Sequence, residues 1–174
     1  QNNTTYQRNS FVTGGGNEVG KTLDEFNVEN PTGIDKWGST YSESNSFANA
    51  GGQENTAKGR GSHVGGGLKN AAYGNYSGIV AGDTNAVLGD YSGIVAGSNN
   101  VVINNNSAVL AGKNNEIISE NSAASGLGLK VNKPNTTVVG QYNNENSAAL
   151  FAVGTGAVKD GTEYRNNALE VFPN

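Results

Sequence analysis

One short unit recurs along the middle of the chain. Ser77 opens SGIVAG-DTN-AVLGDY, Ser92 opens SGIVAG-SNN-VVINNN and Ser107 opens SAVLAG-KNN-EIISEN, a step of 15 residues each time. A unit of 15 residues is too short for a helix pair or a propeller blade. It holds two short apolar runs, each closed by Gly or Asn, which suits one coil of a stacked parallel β-solenoid. The frame extends upstream to Ser62 (SHVGGG) and downstream through Ser122 (SAASGL) to Thr137 (TVVGQY). Ser46 (SFANAG) fits with a step of 16, and Ser10 (SFVTGG) reads as a first coil. The expected fold is therefore all-β, a parallel β-roll or β-solenoid of about eight coils. Its parts are a first coil or N-terminal cap (1–20), an insertion loop (21–45), the repeat region (46–145) and a C-terminal hairpin cap (146–174).

Alternation along the strands assigns the side chains. Within SGIVAG, the third and fifth residues (Ile79 and Ala81, Ile94 and Ala96, Val109 and Ala111) are expected on one face, and the second and fourth on the other. Ile79, Ile94 and Val109 then fill the coil interior, joined from the second run by a column of Val87, Val102 and Ile117. Both faces of the first strand are apolar, the pattern of a strand covered on two sides. Val80, Val95 and Leu110 would form an exposed apolar stripe, a surface that soluble monomers avoid. Another copy of the chain is the obvious cover, and a closed ring about an axis parallel to the solenoid buries the stripe on every protomer. A homotrimer is the simplest ring; a dimer or a docked helix would serve the same purpose.

Asn occurs 28 times and Gly 26 times in 174 residues, a composition that without periodicity would suggest a disordered linker. The repeat overrules that reading. Both residue types tolerate the left-handed backbone of sharp corners, so Asn85, Asn100 and Asn115 are expected first as turn formers, with a side-chain amide ladder as the alternative. Only 34% of residues are apolar, which disfavours a globular core. A net charge of −4 argues against nucleic acid or an anionic membrane as the main partner. The chain has no apolar stretch of membrane-spanning length, no signal peptide and no Met, as expected of a piece of a longer chain. Absence of Cys removes disulfides and thiolate metal sites.

The S-x-[IV]-x-A-G unit at Ser77, Ser92 and Ser107, followed by Asn and a second apolar run, resembles the head repeats of trimeric autotransporter adhesins. Those heads are left-handed parallel β-rolls assembled as intertwined trimers on the bacterial surface, and similar repeats occur in bacteriophage tail fibres. Asn-Asn corners and the order I-V-A depart from the adhesin pattern. SAALFAVGTG at Ser147 with EYRNNALEVF at Glu163 resembles the segment that ends such repeat regions in phage tail fibres. From the residues, Ala149 to Val153 and Ala168 to Phe172 form two strands of a capping hairpin, with Arg165 a solvated or capping residue. The resemblance implies an extracellular fibre module, on a bacterial outer surface or a virion tail, that attaches to a host-surface glycan or protein receptor.

The insertion is where a binding site would most readily fit, because repeat arrays carry their insertions on one face. It holds the only Trp, Trp37, together with Tyr41, Asp35 and Lys36, a mixture suited to a carbohydrate or protein receptor. The alternative role for Trp37 and Phe26 is to plug the end of the solenoid. Asp24, Glu25 and Glu29 match no calcium loop, and no metal or cofactor is expected. Lone His63 lacks a catalytic relay, the Gly runs near Gly14 and Gly65 open no helix, and no carboxylate pair stands out for glycan hydrolysis. The chain is therefore read as a non-enzyme. Attachment and a purely structural spacer are the two leading functions; a polysaccharide depolymerase ranks below both. Eight coils at about 4.8 Å each span only about 40 Å, which favours a head or tip over a stalk.

Overall fold

The computed structural model describes residues 52–174, together with the backbone of three short strands at Thr4–Thr5, Glu18–Val19 and Phe47–Ala48. The rest of the N-terminal part, including the insertion at 21–45, lies outside the described residues. No helix occurs among the described residues; the chain winds into a parallel β-solenoid of about seven turns with coils of about 15 residues.

Two ladders of two-residue strands run the length of the solenoid. One stacks Thr56–Ala57, Ala71–Ala72, Ala86–Val87, Val101–Val102, Glu116–Ile117 and Lys130–Val131, and Glu18–Val19 and Thr4–Thr5 extend it upstream. The other stacks Phe47–Ala48, His63–Val64, Gly78–Ile79 and Gly93–Ile94, then the longer strands Ala108–Lys113, Ala123–Leu127, Thr137–Gln141 and Phe151–Thr155. A third, thinner seam pairs Gly52–Gln53 with Gly67–Leu68 and continues as single bridges from Leu68 through Asp83 and Ser98 to Lys113. Because Glu18–Val19 pairs directly with Thr56–Ala57, adjacent rungs flank the insertion in sequence.

The interior is an aliphatic column. Ile79, Ile94 and Val109 face Val87, Val102 and Ile117, and all six are buried. The fifth residues of the unit do not join them, contrary to simple alternation: Ala81, Ala96 and Ala111 are exposed, as are Val80, Val95 and Leu110. The regular strand ends at Ile79 and Ile94, and in the third coil the register slips between Val109 and Ala111, leaving Leu110 as an extra residue. The following coil lacks that residue. Ala108 pairs with Ala123 but Ala111 pairs with Ser125, and from there on the step is 14: Ala123 pairs with Thr137, and Thr137 with Phe151. Thr136, not Thr137, therefore takes the place of Ser122, correcting the frame read from sequence.

Two rows of buried polar side chains flank the aliphatic column. Asn55, Asn70, Asn85, Asn100 and Asn115 are all buried. In each coil from Asn70 to Asn100 the amide is saturated. The Asn100 Nδ2 donates to Asn85 Oδ1 at 3.0 Å and to the Gly112 carbonyl at 2.9 Å, while its Oδ1 accepts from the Asn115 backbone N–H at 3.0 Å and Nδ2 at 2.9 Å. These residues are not the turn formers expected from sequence. The left-handed backbone belongs to the residue before each: Lys69, Thr84, Asn99 and Asn114, with φ of 54–57°. On the opposite corner, Ser92, Ser107 and Ser122 form a hydroxyl row in which each Oγ accepts the backbone N–H of the next residue in the row, ending at Thr136. The Asn row stops where Leu129 replaces Asn, its N–H taking the last Asn115 Oδ1 at 3.0 Å.

At the C-terminal end, Phe151–Thr155 is the last parallel rung, and Asn167–Val171 pairs with it antiparallel, Phe151 opposite Val171 and Val153 opposite Leu169. Between them Ala157–Lys159 and Thr162–Tyr164 form a small exposed hairpin. Arg165 is not solvated. Its guanidinium donates to the Gly128 carbonyl at 2.9 Å, pairs with Glu163 at 2.7 Å and lies over the Tyr142 ring, tying the terminal segment to the solenoid wall.

Candidate functional site

The candidate ligand residues Trp37, Tyr41, Asp35 and Lys36 lie outside the described residues. What the structure does place is the outer surface of the coils, and two kinds of feature stand out there.

The first is apolar. Val80, Val95 and Leu110 are 58%, 49% and 55% exposed and form one column. A second column, absent from the sequence reading, runs through Tyr73, Leu88, Ile103 and Ile118, all exposed. Its signal was present as the third residue of the second run, at the same step of 15. These side chains follow the inward Ala72, Val87, Val102 and Ile117, so the pleat turns them out.

The second feature sits at the corner between the two main ladders. Tyr76 and Tyr91 stack on each other with ring centroids 5.2 Å apart and planes 14° from parallel. The Arg60 guanidinium lies 5.0 Å from the Tyr76 ring centroid. Both tyrosines hold left-handed backbone, with φ of 53° and 54°, at the position that Gly61, Asn106, Asn121 and Asn135 occupy in other coils. Gly and Asn visit that region readily; a bulky residue there pays about 1–2 kcal/mol. The pair therefore costs about 2–4 kcal/mol, against about 0.5–1.5 kcal/mol returned by stacking and about 0.5–1 kcal/mol by an exposed cation–π contact. The two ranges overlap, and Lys69 and Thr84 hold the same left-handed backbone at another corner.

Beside the rings runs a row of fixed polar side chains. Asn75 Oδ1 accepts the Arg60 N–H at 3.0 Å, Asp90 Oδ1 the Asn75 N–H at 2.7 Å, and Asn105 Oδ1 the Asp90 N–H at 2.8 Å. Asn75 Nδ2 also reaches Asp90 Oδ2 at 3.3 Å. The sequence signal for this corner is the 15-residue step from Tyr76 to Tyr91, outside the insertion that holds the expected ligand aromatics. Among the described residues, no group of three or more His, Cys, Asp or Glu side chains could hold a metal ion. The chain matches no protein-family model, no curated protein and no solved structure.

Proposed function

We propose that this chain is the head or tip module of a homotrimeric extracellular fibre, an adhesin or a phage tail-fibre protein, that attaches to a glycan or protein receptor on a host surface. The observation that carries the reading is the exposed Val80, Val95 and Leu110 column on a solenoid whose interior is already filled. Burying a half-exposed Val or Leu is worth about 1 kcal/mol, and three copies about an axis parallel to the solenoid bury the column on every protomer at once. The second column through Leu88 and Ile103 supports association, as do the exposed Leu169, Val171 and Phe172 at the C-terminal end. In this reading the antiparallel strand Asn167–Val171 caps the last parallel edge against further pairing.

The insertion at 21–45 then supplies one receptor contact through Trp37, Tyr41, Asp35 and Lys36. Arrays of glycans and matrix proteins probed with the intact assembly test attachment. Binding is expected, and Trp37→Ala with Tyr41→Ala is expected to reduce it at least tenfold. Absence of binding to either array contradicts attachment and favours a fibre spacer without a ligand of its own.

A further inference from the structure

Tyr76 and Tyr91 form a platform whose two ends differ. Toward the preceding coil the stack is closed by Arg60. Toward the following coil the same position holds Asn106, a much smaller side chain that makes no hydrogen bond among the described residues. Tyr91 is the more exposed of the two rings, 62% against 45% for Tyr76. Its outer face thus opens toward the coil that carries Asn106, with Asp90 and Asn105 the residues just before Tyr91 and Asn106 in the chain.

We propose that this open face is a binding site for a neutral pyranose-containing glycan. The flat carbon–hydrogen face of a sugar ring covers the open face of Tyr91, and its hydroxyls meet the free Asn106 amide, the Asn105 Nδ2 and the Asp90 carboxylate. Tyrosine suits this use because it offers a large rigid face at low entropic cost together with a polar tip. The row beside the rings is already hydrogen-bonded coil to coil, so Asp90 and Asn105 are held in place before any ligand arrives, which reduces the ordering cost of binding. Asp90 and, two coils further on, Glu120 set a negative local field at the end of the corner away from Arg60, which disfavours phosphate and acidic sugars there.

This inference rests on the attachment reading and adds a ligand class and a place away from the insertion. The test is Tyr91→Asn, which installs the residue that three other coils carry at this position. An array of neutral oligosaccharides built from glucose, galactose, mannose and N-acetylhexosamines is probed with the intact assembly, and the best binder is titrated by saturation-transfer NMR. The wild type is expected to bind, Tyr91→Asn to lose at least tenfold in affinity, and Tyr91→Asn to melt no lower than the wild type. Equal binding by Tyr91→Asn, or a lowered melting temperature showing that the stack is structural, overturns the proposal. So does silence of the neutral array; if other receptors are still bound, attachment itself stands.

Discussion

Asn99 and Asn100 are neighbours in the chain with opposite roles: Asn99 is exposed with φ of 54°, whereas Asn100 is buried and uses its whole amide. Removing the Asn100 amide orphans the Asn115 N–H and one acceptor of the Gly112 carbonyl inside the wall. An unsatisfied buried group costs about 1–3 kcal/mol. Asn100→Ala is therefore expected to lower the unfolding free energy by about 2–4 kcal/mol, read from urea titration, while Asn99→Gly changes it by less than about 0.5 kcal/mol because glycine enters left-handed backbone freely. Equal effects would mean that the amide row carries no stability. The sequence left this distinction half open, with turn formation expected first and the amide ladder as the alternative. Its trace is that the Asn100 column reads Asn70, Asn85, Asn100 and Asn115, whereas the position before it varies as Lys69, Thr84, Asn99 and Asn114.

At the scale of the strand, the 15-residue repeat and its inward Ile and Val positions were readable, because every coil repeats the same apolar pattern and only one face can point into so thin a core. The irregularity at Leu110 was not. Strict alternation places Ala81, Ala96 and Ala111 inside, but the regular pairing at Gly78 and Gly93 lasts only two residues, and Leu110 has no partner in the coil that follows. Such bulges add one residue to one strand and turn it outward. Deleting Leu110 converts its coil to the 14-residue form already used by the next two rungs. The expected cost is below about 2 kcal/mol, the range of an ordinary point change, with a single cooperative transition retained. Deleting the inward Val109 is expected to abolish folding. A Leu110 deletion that unfolds the chain would show that its outward side chain belongs to the core.

For the whole molecule, the sequence pointed to function mainly through the insertion, whereas the structure adds surfaces that only the stacking of coils creates. Tyr76 and Tyr91 are 15 residues apart and meet only because each coil brings the chain back to the same corner. The same stacking turns isolated residues such as Val80 and Val95 into a continuous apolar column, and the proposed self-association rests on that column rather than on any single residue. Sedimentation equilibrium of the chain at micromolar concentration tests this most directly. The account predicts a species of three times the 17.9 kDa chain mass, shifting to monomer when Val80, Val95 and Leu110 are all replaced by Ser; a stable, folded wild-type monomer would contradict it.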